Sequence, residues 1–271
     1  MGRNFSGSHC LTFLKKQMKQ NLSAFILREW NDFILLLRNV PSLVVSIFIL
    51  SVVCMNLLAN KELFSFQYLA LDCGFTLSWI SFLCMDMICK RFGPKAAMKI
   101  SILALFVNLC TFSLFNLLSR TPGMWGEFYT LLETNPDGAA IANDALNATF
   151  GGSWYVLFGS AIAMFSSSLV NAITNHWISK FTSFQGFKNF AIRSYASTMI
   201  AQFIDNLIFA RIVSYVFFGW SMTQVILCSL TGALMELLCE IVFSPLGYKI
   251  CRYWEKNGIG NPYIQFKAEA K

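Results

Sequence analysis

The sequence predicts an all-α, polytopic membrane protein with six transmembrane helices and both termini in the cytoplasm. Two observations carry this. First, 56% of the 271 residues are hydrophobic, only 13% are charged, and 27 are phenylalanine. A soluble domain carries about 25% charged residues. The composition excludes a disordered chain and a nucleic-acid binder, although the net charge is +7. Second, 18 of the 21 basic residues fall in segments that a cytoplasmic N-terminus would place inside, against Lys61 and Arg120 outside. This bias follows the positive-inside rule and assigns the excess charge to anchoring at the inner leaflet.

The elements follow in order. Residues 1–38 hold Arg3, Lys15, Lys16, Lys19, Arg28, Glu29, Asp32 and Arg38. That charge density prevents a signal-peptide core. The stretch 22–37 reads as an interfacial amphipathic helix. A transport-sized membrane domain spans 39–250, since each crossing needs about 20 apolar residues. Its crossings are expected over 39–60, 66–89, 98–118, 151–175, 194–218 and 222–248. A polar outer loop covers 119–150, and a cytoplasmic tail covers 251–271.

Ionisable groups inside crossings are expensive, and they mark the candidate site. In the fifth crossing Thr198, Gln202, Asp205 and Phe209 recur at helical spacing and share one face. A hydroxyl, an amide, a carboxylate and a ring in a row suit a flat polar heterocycle. The bland alternative is interhelical polar glue. In the sixth crossing Glu236 and Glu240 lie one turn apart and are candidates for a coupling proton or a charge pair. Arg211 points away from the Asp205 face. It either pairs with Glu236 or Asp72 or snorkels outward. Asp86 forms an i,i+4 pair with Lys90 or faces the cavity. The chain has two histidines, nine scattered cysteines and no P-loop. These exclude a His-based metal site, a disulfide framework and ATP hydrolysis of that kind. No cofactor is implied and no catalytic constellation is present, so the sequence does not read as an enzyme.

Four blocks resemble the vitamin uptake transporter family, whose characterised members carry queuosine precursors. Asn56-Leu57-Leu58-Ala59-Asn60-Lys61 resembles S-N-x-L-A-x-K, and Asp86 with Phe92-Gly93 resembles T-D-x-x-x-x-[FY]-G. Arg193-x-x-x-Ser197-Thr198-x-x-x-Gln202-x-x-Asp205-Asn206-x-x-Phe209 resembles R-x-x-x-S-T-x-x-x-Q-x-x-D-T-x-x-F. Glu240-x-x-x-x-Pro245 resembles the late E-x-x-x-x-P. The third block is the most specific.

The resemblance implies a six-helix importer of 7-deazaguanines in the cell (inner) membrane, working by alternating access, with proton coupling or facilitated diffusion. It implies a purine-like small molecule and membrane lipid as partners, no nucleic acid, and allows a homo-oligomer. It adds Arg193, Ser197, Asn206, Asp86 and Asn56 to the substrate-binding candidates. The alternative is the substrate-binding subunit of an energy-coupling-factor importer. The sequence departs from the family at Met85, Asn206, Asn171 and Glu236. The last stands where many members carry lysine, which raises the expectation that Arg211 supplies the relocated charge.

Overall fold

The computed structural model describes residues 7–128, 130–181 and 187–269, with side chains for all of these except 7–21, 127, 168, 172, 175, 176, 179–181 and 187–194. The chain is helical almost throughout. Helix α1 (Gly7–Asn39) stops before Pro41, whose ring cannot continue it, and meets α2 (Ser42–Leu58) at 105°. A helix set almost perpendicular to its neighbour runs along the membrane surface when that neighbour crosses. Helices α3 (Phe75–Phe92) and α4 (Pro94–Leu118) are separated only by Gly93, at φ +90°, with Pro94 opening the next helix. Helix α5 (Pro136–Gly152) leads through Ser153 into α6 (Trp154–Phe181). Helix α7 (Phe187–Phe209) continues as a π-helical turn, Ala210–Ser214, and a last turn, α8 (Tyr215–Phe217). Ser221 and Gln224 form a capping box that starts α9 (Met222–Lys256), and α10 (Asn261–Glu269) ends the fold.

Among the described residues four helical stretches are long and apolar enough to cross a membrane: 94–118, 136–171, 195–217 and 222–256. The bent pair α1–α2 makes a fifth if taken as one span. This is an all-α polytopic membrane protein. Of the six expected crossings, α2 and α3 fall short by length and charge. Helix α2 has 17 residues, and the 18 of α3 include Asp86, Lys90 and Arg91. At 1.5 Å per residue each reaches only about 26 Å.

Two segments differ from the sequence expectation. Residues 66–72, expected to begin the second crossing, belong to an antiparallel hairpin, β1 (Glu62–Ser65) and β2 (Ala70–Asp72). Asp72 Oδ1 accepts the N–H of Phe75 at 3.3 Å and so starts α3 later than the apolar run suggests. Gly74 lies against α2 so closely that a Cβ there would sit 2.5 Å from the Met55 carbonyl oxygen. The second difference is α5, inside the polar stretch 119–150. Asn135 caps it by accepting from Gly138, Pro136 opens it, and alanines extend it.

The hairpin lies along the start of α9. Trp220 Nε1 donates to Glu62 Oε1 at 2.6 Å, Gln224 Nε2 to the Phe66 carbonyl at 3.0 Å, and the Ala70 N–H to Cys228 Sγ at 2.9 Å. One helical stretch further, Ser78 Oγ donates to Glu236 Oε1 at 2.5 Å.

The largest apolar core closes the opposite end of the bundle. Leu36, Val40, Phe48, Ile88, Ile100 and Trp254 bring α1, α2, α3, α4 and α9 together there. Gly258 and Gly260, at φ +65° and +84°, turn the chain into α10, and Tyr263 buries beside Phe92. Arg91 donates to the Ile259 carbonyl at 2.8 and 3.0 Å and to Asn261 Oδ1 at 2.8 Å. Asp32 of α1, 2% exposed, pairs with Lys99 of α4 and with Lys267 of α10, the latter at 2.8 Å; Lys99 also pairs with Glu29 at 2.6 Å.

Candidate functional site

Helices α2, α3, α6, α7 and α9 line a cavity of about 90 Å3 below the hairpin, open on one side. Helix α9 supplies Glu236, which is 2% exposed. Its two oxygens are held separately: Ser78 donates to Oε1, and Asn206 Nδ2 donates to Oε2 at 3.2 Å. Gly232, one turn earlier, makes room for that amide, since a Cβ at 232 would sit 3.0 Å from Asn206 Nδ2. Helix α7 supplies Asp205, Asn206 and Phe209. Asp205 Oδ1 accepts from Ser167 Oγ of α6 at 2.7 Å. The π-helical turn adds Ala210 and Ser214 to the wall. It packs against Gly159 of α6, where a Cβ would sit 2.5 Å from Val213 Cγ2. A π-helical turn beside a cavity is a recurrent feature of functional sites.

Of the residues expected from the sequence, Asn56, Asp205, Asn206, Phe209 and Glu236 line this cavity. Ser197, Thr198 and Gln202 do not; all three are buried further along α7. Both amide atoms of Gln202, which is fully buried, have no hydrogen-bond partner. Helical spacing puts them on the Asp205 face, but the cavity ends before it reaches them. Asp86 of α3 and Glu240 of α9 are neighbours, and neither lines the cavity. Lys90 stacks over the Tyr248 ring at 4.0 Å, so Asp86 faces Glu240 instead of pairing with it. The side chain of Arg193 lies outside the described residues.

One expectation is corrected. Arg211 does not pair with Glu236. Its guanidinium lies over the Tyr215 ring at 4.3 Å, on an exposed side of the π-helical turn, while Ser78 and Asn206 hold Glu236.

The sequence reading did not include Asp72, Ser78, Ser160 or Trp220 in the site, and all four line the cavity. Glu62-Leu63-Phe64-Ser65 alternates in burial but not in polarity, so no period-two pattern in the sequence marked the hairpin that brings Asp72 there.

The model of the family described as "Putative vitamin uptake transporter" matches residues 72–250. The chain belongs to that family. The match runs from Asp72 through α9 and includes every cavity-lining acid. No curated protein and no solved structure matches the chain. Family and fold together make the protein a multi-pass membrane transporter of the vitamin-uptake type.

Proposed function

We propose that this transporter imports queuosine precursors, the 7-deazaguanines 7-cyano-7-deazaguanine, 7-aminomethyl-7-deazaguanine or queuine, by alternating access. The observation that supports this reading is the cavity wall itself. A flat guanine-like ring presents adjacent N–H and NH2 donors on one edge. The Asp205 and Glu236 carboxyl groups offer acceptors for that edge, the Asn206 and Asn56 amides lie beside them, and Phe209 offers a stacking face. In this reading α2, α3, α4, α6, α7 and α9 are the six crossings, and both termini are cytoplasmic.

Proton coupling fits the second carboxyl pair. Asp86 of α3 and Glu240 of α9 are neighbouring acids inside the bundle, and two carboxyl groups so placed favour one shared proton over two charges.

Complementation tests the substrate class. A strain unable to make 7-deazaguanines is given the protein and each precursor in turn, and queuosine in its tRNA is measured. Rescue by at least one precursor is expected, and rescue by none overturns the proposal. Uptake by the purified chain alone in proteoliposomes separates it from a subunit that needs an ATPase partner.

A further inference from the structure

We propose that Asp72 is the counter-ion for an aliphatic ammonium group on the ligand, so that the transporter prefers amine-bearing 7-deazaguanines to the nitrile. The inference rests on the substrate class proposed above and narrows it.

The charges around the cavity carry the argument. Its lining holds three carboxyl groups, Asp72, Asp205 and Glu236, and no lysine, arginine or histidine. Among the described residues none of the three forms an ion pair. Arg211 lies over Tyr215, and Lys99 is held by Glu29 and Asp32. A guanine donor edge is neutral, so it can hydrogen-bond to Asp205 and Glu236 without balancing the charge of either, and Asp72 is left over. It then faces an apolar cavity with no counter-charge, which is costly unless the ligand brings one.

Two more groups in the same cavity point to a ligand independently of the acids. Asn56 is 2% exposed and its Nδ2 has no partner; Ser214 is 1% exposed and its Oγ has none. Buried polar atoms are rarely left unpaired, and both line a space that a ligand would fill.

Position then selects Asp72 among the three acids. Glu236 and Asp205 are linked to one another's helices through Asn206 and to Ser78 and Ser167, which fixes them as a recognition edge. Asp72 sits on the hairpin, outside the helices, with Oδ1 committed to the Phe75 N–H. In a 7-deazaguanine the 7-substituent projects from the five-membered ring, across the molecule from the N1 and 2-amino donors. A ligand with that donor edge on Asp205 and Glu236 and its ring against Phe209 directs the substituent to the hairpin end. In 7-aminomethyl-7-deazaguanine and queuine that substituent carries an amine, protonated at neutral pH. In 7-cyano-7-deazaguanine it is a neutral acceptor that a carboxylate repels.

The test is uptake of the three labelled compounds at equal concentration by the full chain in proteoliposomes. The amine-bearing compounds are expected to enter at least about tenfold faster than the nitrile, the scale of one charge-assisted hydrogen bond. Asp72→Asn keeps an acceptor for the Phe75 N–H. It should cut amine uptake roughly tenfold more than nitrile uptake and so abolish the preference, while Asp72→Glu should retain it. Equal or faster entry of the nitrile into wild-type vesicles overturns the inference and leaves the substrate class standing. So does an equal loss of all three compounds in Asp72→Asn. Entry of none into wild-type vesicles overturns the substrate class, and this inference with it.

Discussion

Asp32→Asn should lower the stability of the transporter by about 2–3 kcal/mol without touching the cavity. Asp32 is 2% exposed and is the shared acceptor for two lysines from distant parts of the chain. Removing one partner of a buried ion pair costs about 3–5 kcal/mol. The lower figure applies here because Lys99 and Lys267 are 18% and 34% exposed and can turn partly to water. Lys99 also keeps Glu29 at 2.6 Å. At the usual entropy of unfolding for a chain of this size, the midpoint should fall by roughly 4–5 °C.

The pH dependence has a defined sign. Burial pushes the Asp32 carboxyl up, and the hydrogen bonds from Lys267 and Lys99 together outweigh it, so the folded value lies below the ordinary 3.8. Its stabilisation is therefore complete above about pH 4 and is lost as pH falls through the lowered value. The assay is thermal unfolding of the purified protein in detergent, followed by tryptophan fluorescence, at pH 7 and at pH 3. The deficit of the variant should be full at pH 7 and shrink at pH 3. A midpoint equal to wild type at pH 7, or a deficit of the same size at both pH values, would refute the reasoning. Lys267→Met breaks the more exposed pair and should cost less than about 1 kcal/mol.

The cavity yields three further expectations. Asp205→Asn retains the acceptor for Ser167 and so should fold, but uptake in cells should drop at least about tenfold through loss of a charged acceptor; full activity would remove Asp205 from the binding face. Gly232→Ala places a Cβ 3.0 Å from Asn206 Nδ2 and should displace that amide from Glu236. Uptake several-fold below wild type at equal membrane abundance is the expected readout. Arg211→Gln removes a guanidinium that touches Tyr215 outside the cavity, and uptake should stay within about twofold of wild type. A total loss would restore the idea that this arginine balances a buried acid.

Much of this arrangement was legible in the sequence, for physical reasons. In α7 the spacing from Asp205 to Phe209 fixes a common face because a helix has one period, and both residues line the cavity. Glu236 stood out because an acid in an apolar helix is costly. The depth of the cavity along that face was not legible. Thr198 and Gln202 share the stripe, but where the open space ends depends on neighbouring helices that no local pattern describes. Asp72 was hidden for a related reason. The hairpin residues Phe66, Tyr68, Leu69, Ala70 and Leu71 are as apolar as a crossing, so composition merged 66–72 with α3. Only their pairing with one another and with α9 separates strand from helix. The fate of Arg211 followed from a π-helical turn, which shifts the angular count that a regular helix would give.

The alignment of the hairpin and α3 with α9 bears on how the transporter can move. Glu62–Trp220, Phe66–Gln224, Ala70–Cys228 and Ser78–Glu236 fasten the hairpin and the start of α3 to α9 and its approach at four places, like studs along one seam. Parting them means undoing four fastenings together. Helix α7 is fastened to α9 at the cavity by Asn206–Glu236, and to α6 by Asp205–Ser167. For α6 and α7 to part from α9 at the cavity, the Asn206–Glu236 bond is the fastening that has to be released.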